Sequence, residues 1–165
     1  MTTKTEILDL TGTPQEIIDI VSEQYPEIEQ LIFNAHIIVP KYKGSIQPYQ
    51  AAVLYYLAKD YNYGNILEIG TGVGYSTFFI ASACPNAKIT TVNPNDKELS
   101  LAKSALNFSN VFFWNDNSRN TYNLNNNYDF IFIDGDHNDI EFDINWYYRL
   151  NEGGTILFHD YTDID

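Results

Sequence analysis

The sequence contains few of the residues on which several classes of protein depend. It has one cysteine, Cys84, so it can form no internal disulfide and offers no cysteine cluster for a metal. Lysine and arginine number 9 against 22 acidic residues, and the net charge of −13 repels the phosphate backbones of DNA and RNA. No apolar run approaches membrane-spanning length, and the start at Met1 does not resemble a signal peptide. We therefore expect a soluble, cytoplasmic protein that acts on neither nucleic acid nor membranes.

What the sequence does contain indicates a single globular domain over residues 1–165. With 165 residues, 44% of them hydrophobic, the chain is long and apolar enough to build a core. Residues 1–48 predict a helical N-terminal cap, and residues 49–165 predict the core of the domain. In that core the hydrophobic pattern alternates between strands and helices. Strands are predicted at Asn65–Ile69, Lys88–Val92, Val111–Trp114, Tyr128–Asp134 and Thr155–Phe158, and helices at about Tyr75–Ala83, Asn95–Asn107 and Asp139–Leu150. This alternation predicts an α/β fold, a Rossmann-like doubly wound parallel sheet with strand order 3-2-1-4-5.

The end of the first strand carries the most informative motif, Glu68-Ile-Gly70-Thr-Gly72-Val-Gly74. A dinucleotide fingerprint, Gly-x-Gly-x-x-Gly, would need a glycine where Tyr75 stands, which argues against the alternative of a nicotinamide-dependent oxidoreductase. Glycines let the backbone approach a ligand closely, and the carboxylate of Glu68 can receive an ammonium group. The motif resembles the glycine-rich loop of class I S-adenosylmethionine-dependent methyltransferases.

A second pair of motifs narrows the resemblance. Residues 131–137 read Ile-Phe-Ile-Asp-Gly-Asp-His, and residues 153–161 read Gly-Gly-Thr-Ile-Leu-Phe-His-Asp-Tyr. They are similar to the ends of the fourth and fifth strands in small-molecule O-methyltransferases and, more distantly, in metal-dependent sugar O-methyltransferases. The resemblance covers roughly residues 47–161. It implies methyl transfer from S-adenosylmethionine to a hydroxyl group of a small molecule.

The resemblance also implies which residues form the site. The residues expected to bind S-adenosylmethionine are Glu68, Gly70, Thr71, Gly72, Gly74, Tyr75, Ser76, Asn93, Asp116, Asn117 and Asp134. Asp136, His137 and His159 are the candidate catalytic residues, because they stand where a base for the acceptor hydroxyl is needed. Adjacent strand ends lie about 4.8 Å apart, and the carboxylates of Asp134 and Asp160 are hard ligands suited to Mg²⁺. The alternative is that Asp134 and Asp136 line the cofactor pocket without a metal, while His159 and Asp160 cap a turn.

The sequence departs from the family pattern at two places. Asn93 stands at the end of the second strand, where the family normally has an acid that accepts both ribose hydroxyls. The family commonly adds two further strands after strand five, whereas this sequence ends at Asp165. We expect the edge of strand five to be covered by a second copy of the chain, by the N-terminal helices, or by further chain of which this sequence is a fragment. Both departures keep open the alternative of a catalytically degenerate cofactor-binding or interaction protein.

Overall fold

Five parallel strands form the centre of the molecule. The computed structural model describes residues 10–123, 126–135 and 140–159. The strands are β1 (Asn65–Ile69), β2 (Lys88–Val92), β3 (Val111–Trp114), β4 (Tyr128–Ile133) and β5 (Leu150–Phe158). They pair in the order β3-β2-β1-β4-β5, and every pairing is parallel. The predicted α/β class and strand order are confirmed.

Helices precede the sheet and connect its strands. They are α1 (Pro14–Gln24), α2 (Ile28–Ile38), α3 (Pro48–Ala58), α4 (Tyr75–Ala83), α5 (Asp96–Ala105), α6 (Ser118–Tyr122) and α7 (Ile140–Asp143). A 3-10 turn, Lys59–Tyr61, extends α3, and a 3-10 helix, Ile144–Arg149, follows α7. None of the helices in the described ranges has both the length and the apolar character that crossing a bilayer needs.

Local sequence explains where several helices begin. Thr13 and Glu16 form a capping box at the start of α1, in which the Thr13 amide donates to Glu16 Oε2 over 2.7 Å. Asn95 caps α5, and its Oδ1 accepts from the amides of Lys97 and Glu98. In both cases a polar side chain satisfies amides that the first helical turn leaves without partners.

The central strands β1 and β4 are buried on both faces, since side chains alternate along each strand and clusters of apolar residues pack on either side of the sheet. On one face, Ile66 of β1 packs in a large cluster with α1, α3 and α4. On the other face, Leu67 and Ile69 pack in a smaller cluster that contains the buried Trp146. Cys84 lies in the larger cluster just after α4, and its thiol donates to the carbonyl of Ala58 over 2.9 Å. Burial raises the pKa of that thiol to about 12, as expected for a packing residue.

Two predicted elements differ from the structure. The helix predicted at about Asp139–Leu150 is a single α-helical turn at Ile140–Asp143 followed by the 3-10 helix. The fifth strand begins at Leu150 rather than Thr155. Its pairing with β4 has an irregularity, since Leu150 lies opposite Tyr128 while Thr155 lies opposite Phe130. Gly153 and Gly154 therefore lie within the irregular part of β5.

Candidate functional site

Each of the three glycines in the loop between β1 and α4 is required for a different structural reason. Gly70 has φ +100°, and a Cβ there would lie 1.9 Å from the carbonyl oxygen of Asp134. Gly72 has φ +50°, and a Cβ there would meet no close neighbour, since the nearest side-chain atom, Tyr42 Cε1, lies 4.0 Å away. A Cβ at Gly74 would lie 2.8 Å from Leu106, so this glycine serves close packing. Among the three, Gly72 is therefore the glycine that leaves room for a ligand.

A cavity of about 400 Å³ opens beside this loop, at the carboxyl ends of the parallel strands. This is the place where open α/β sheets bind ligands, and the volume is typical of a small-molecule site. Nine of the eleven predicted cofactor-binding residues line the cavity: Gly70, Thr71, Gly72, Tyr75, Ser76, Asn93, Asp116, Asn117 and Asp134. Glu68 and Gly74 do not. The sequence prediction omitted further lining residues, among them Ile46, Glu98 and Asp143.

Glu68 lies fully buried beneath the loop rather than on the cavity wall. Its Oε2 accepts hydrogen bonds of 2.5 Å from the hydroxyls of Thr77 and Thr91. The Thr91 hydroxyl lies 2.5 Å from that of Thr71, which does line the cavity. Oε1 of Glu68 is buried and accepts no hydrogen bond within the described part of the chain. Burial raises the pKa of Glu68 to about 7, although the hydroxyls of Ser76, Thr77 and Thr91 act in the opposite direction.

The ends of β4 and β5 bring two of the predicted catalytic and metal-binding residues together. The Asp134 amide donates to the carbonyl of Ile69, and the His159 amide donates to the carbonyl of Ile133. These backbone bonds place Nδ1 of His159 2.9 Å from Oδ1 of Asp134. Both side chains are 13% exposed. A neutral imidazole protonated at Nδ1 would donate to this carboxylate, which orients the ring.

The other residues predicted for this cluster, Asp136, His137 and Asp160, lie outside the described residues. Within the described ranges, no group of three histidine, cysteine, aspartate or glutamate side chains could hold a metal ion. Asp134 is thus the one predicted magnesium ligand whose position the structure describes. The catalytic roles of Asp136, His137 and His159, and the magnesium site at Asp134 and Asp160, stay predictions.

Asn93, at the end of β2, is buried and hydrogen-bonded to the start of α5. Its Nδ2 donates to the carbonyl of Asn95 over 3.2 Å and to Oε2 of Glu98 over 3.1 Å. The other carboxylate oxygen of Glu98, Oε1, accepts from the hydroxyl of Tyr42 over 2.8 Å. This hydrogen bond raises the pKa of Tyr42. The carboxylate of Glu98 therefore lies on the cavity wall next to Asn93.

Asp116 and Asn117 line the cavity and also shape the start of α6. Asp116 Oδ1 accepts from the Asn117 amide and from Nδ2 of Asn120, each over 2.8 Å. The bond from Asn120 is the largest cause of the lowered pKa of Asp116. Asn117 caps α6, because its Oδ1 accepts from the Asn120 amide over 2.9 Å. A turn role and a cofactor role are both compatible with this arrangement.

A buried polar network that the sequence did not indicate supports the cavity wall. The Ser118 hydroxyl donates to Oδ1 of Asp143 and accepts from the indole Nε1 of Trp146 over 2.7 Å. Asp143 is 2% exposed and Trp146 is 1% exposed. Ser118 follows β3 and the other two follow β4, so only the tertiary fold brings them together. No spacing in the sequence links residues 25 to 28 positions apart.

Comparison with protein families identifies the class. The profile of the methyltransferase domain family matches residues 67–161, and the chain belongs to this family. A sequence comparison with curated proteins gives no match.

Solved structures of methyltransferases share the fold. The O-methyltransferase of Bacillus cereus, in complex with S-adenosylhomocysteine, has 23% identity and a TM-score of 0.65 over 87% of this chain and 71% of that one. A Staphylococcus aureus protein provisionally assigned as a caffeoyl-CoA O-methyltransferase has 26% identity and a TM-score of 0.65, over 88% and 71%. The O-methyltransferase TomG of Streptomyces achromogenes, involved in tomaymycin synthesis and in complex with S-adenosylmethionine, has 19% identity and a TM-score of 0.65, over 87% and 64%. The fold is that of the class I methyltransferases, and S-adenosylmethionine is the cofactor that family and fold support.

Proposed function

We propose that this protein transfers a methyl group from S-adenosylmethionine to a hydroxyl group of a small molecule. The observation that carries the proposal is the cavity at the strand ends, into which Gly72 presents backbone without a side chain. Family membership supports methyl transfer, and the names of the similar structures, which are O-methyltransferases, support an oxygen acceptor. The net charge of −13 favours a small molecule over a nucleic acid.

The residues around the cavity fit such a cofactor. Gly72 and Thr71 contribute backbone that a ligand can approach closely. Below them, Glu68 holds a buried carboxylate oxygen that has no hydrogen-bond donor among the described residues. A cation such as the α-ammonium of S-adenosylmethionine, bound in the cavity above, would favour the charged form of this carboxylate by electrostatic attraction. Because Glu68 does not line the cavity, the hydroxyls of Thr91 and Thr71 would link it to a ligand bound there.

Methyl transfer does not require a covalent bond between the protein and either reactant. When bound, the cofactor supplies an electrophilic methyl carbon, whose bond to the sulfonium breaks as a bond to the acceptor oxygen forms. The protein has to align the acceptor with that carbon and remove the hydroxyl proton. We assign proton removal to Asp136, His137 or His159; of these, His159 has its Nδ1 2.9 Å from the Asp134 carboxylate, which would orient its ring.

Two measurements test the proposal in sequence. Isothermal titration of the purified chain with S-adenosylhomocysteine should show saturable one-site binding, whereas NAD should not bind. Incubation with labelled S-adenosylmethionine and a panel of phenolic and sugar hydroxyl compounds should then give a methylated product by mass spectrometry. Binding of NAD without S-adenosylhomocysteine would contradict the proposal in favour of an oxidoreductase. Binding of S-adenosylhomocysteine without transfer to any acceptor would favour the degenerate, non-catalytic alternative.

The predicted magnesium site is tested separately, by removing and restoring Mg²⁺ in the methyl-transfer assay. If Asp134 and Asp160 hold Mg²⁺, EDTA should abolish methyl transfer and added Mg²⁺ should restore it. Methylation that is insensitive to EDTA would remove the metal from the proposal and leave methyl transfer in place. Repeating the titration with and without Mg²⁺ separates an effect on binding from one on turnover.

A further inference from the structure

At the end of β2, the cavity wall has the neutral amide of Asn93 and no carboxylate at that position. The hydroxyls of a ribose are hydrogen-bond donors that an anionic acceptor binds well, and the family resemblance places an acid where Asn93 stands. The amide nitrogen of Asn93 is a donor only, and it already donates to Asn95 and to Glu98. Asn93 therefore cannot supply the charged acceptor itself.

Glu98 has the properties that Asn93 lacks. It lies in the first turn of α5, lines the same cavity as Asn93 and Gly72, and is partly buried. A carboxylate offers about four acceptor positions, and the structure shows one donor on each oxygen. Each oxygen of Glu98 thus keeps capacity for a further hydroxyl donor.

Two side chains from different elements hold this carboxylate in place. Asn93 fixes Oε2 from the end of β2, and Tyr42 fixes Oε1 from the segment between α2 and α3. Tyr42 also stands over the glycine loop, with its Cε1 4.0 Å from the position of a Cβ on Gly72. The sequence separation between Tyr42 and Glu98 is 56 residues, so the pair connects two walls of the cavity. An acceptor held in this way loses little side-chain entropy when it binds a ligand.

We propose that Glu98 accepts the hydrogen bonds of the cofactor ribose, and that Asn93 and Tyr42 are positioning residues for its carboxylate. The inference rests on the proposed function, since it concerns the same cavity and the same cofactor. In this arrangement the acid is not lost from the chain; it stands five residues further along, in the first turn of α5.

Calorimetry with two ligands tests the role of Glu98. Wild-type protein, Glu98→Gln and the control Glu23→Gln are titrated with S-adenosylhomocysteine and with its 2′-deoxy analogue. Glu98→Gln keeps the shape and one acceptor oxygen but loses the charge, so its affinity for S-adenosylhomocysteine should fall about 10- to 100-fold. Removing the 2′-hydroxyl should weaken binding to the wild type by at least several-fold, and binding to Glu98→Gln much less. Glu23 is exposed near the end of α1, outside the cavity, and its variant should bind like the wild type.

The outcomes separate this inference from the proposed function. If the wild type binds and Glu98→Gln binds within threefold of it, with the same dependence on the 2′-hydroxyl, the role of Glu98 is wrong and the cofactor site stands. If the folded wild type does not bind S-adenosylhomocysteine at all, the proposed function is wrong and this inference is wrong with it. Thermal melting of each variant shows whether a loss of binding comes from unfolding.

The substitution Asn93→Asp gives an independent test, because the two possible roles of Asn93 predict opposite changes in affinity. If Asn93 were simply a weakened ribose acceptor, Asn93→Asp would restore the charge and tighten binding. If Glu98 is the acceptor, Asn93→Asp removes the donor to Oε2 and places a second carboxylate beside the first, so binding should weaken about tenfold. Tyr42→Phe should weaken it by a few-fold, because Oε1 loses its fixed donor. Tighter binding by Asn93→Asp would overturn the proposal.

Discussion

The carbonyl oxygen of Asp134 occupies the space that a side chain on Gly70 would need. An ideal Cβ on Gly70 lies 1.9 Å from that oxygen and 2.5 Å from the carbonyl carbon. The end of β1 and the end of β4 therefore meet through backbone, and the Asp134 amide donates to the Ile69 carbonyl over 2.8 Å. This close approach sets the position of Asp134 at the cavity edge, next to the glycine loop.

The first prediction is that Gly70→Ala strongly destabilises the fold. A methyl group there collides with backbone that cannot rotate away, in addition to the strain of φ +100°. We expect a loss of more than about 3 kcal/mol in the free energy of unfolding, measured with urea. Gly153→Ala is the matched control, because Gly153 has φ +79° and nothing within 4 Å. That variant should lose only about 1 kcal/mol, and equal losses in the two variants would contradict the argument.

The second prediction concerns Gly72, which should matter for binding more than for folding. A Cβ on Gly72 meets open space, so Gly72→Ala should cost about 1 kcal/mol in stability, through its φ of +50° alone. The added methyl group stands in the cavity where the ligand would approach the backbone. Affinity for S-adenosylhomocysteine should fall at least about tenfold, since such a loss equals about 1.4 kcal/mol. Unchanged affinity in calorimetry would show that the ligand does not approach this part of the loop.

The sheet could be predicted from the sequence because its signals are local. Apolar strands such as 128–133 alternate with helices, and that alternation admits few topologies. The segment predicted as a helix at about Asp139–Leu150 is helical over residues 140–149, but only its first turn is α-helical, and the reason is also local. Asn145 Nδ2 donates to the Phe142 carbonyl over 2.8 Å and competes for an acceptor that a continuous α-helix would use. The 3-10 helix that results buries Trp146 and leaves Tyr147 and Tyr148 exposed.

The glycine loop and Asp134 could be placed in the site from their motifs, whereas Glu98 and Asp143 could not. Glu98 looks like an ordinary acid in the first turn of a helix, where such residues are favoured for electrostatic reasons. Its position in the cavity depends on the hydrogen bonds from Asn93 and Tyr42, which arise only in the folded chain. Long-range polar contacts of this kind leave no periodicity or spacing in the sequence.

The third prediction follows from the network around Ser118. Ser118→Ala leaves the buried indole Nε1 of Trp146 without its acceptor and takes a donor from Asp143. We expect a loss of about 2–4 kcal/mol in the free energy of unfolding. Ser104→Ala is the control, because the Ser104 hydroxyl donates to the Ser100 carbonyl on the exposed surface of α5. Its effect should stay within about 0.5 kcal/mol. A similarly small effect at Ser118 would show that the network contributes little.

The fourth prediction is a pH dependence caused by Glu68. Burial raises its pKa from 4.5 to about 7 in the folded chain, so the folded state binds a proton that the unfolded state releases. A raised pKa of this kind contributes stability that is fully present below pH 4.5 and is lost as the pH rises towards 7. The difference corresponds to about 3 kcal/mol.

Glu68→Gln removes that titration while keeping acceptor capacity for the hydroxyls of Thr77 and Thr91. Urea unfolding of both proteins at pH 4.5 and pH 8 isolates the effect, because all other groups titrate equally in the pair. Relative to the variant, the wild type should lose about 3 kcal/mol between the two pH values. A constant difference between them would mean that Glu68 titrates normally, and its buried, proton-binding role beneath the glycine loop would be wrong.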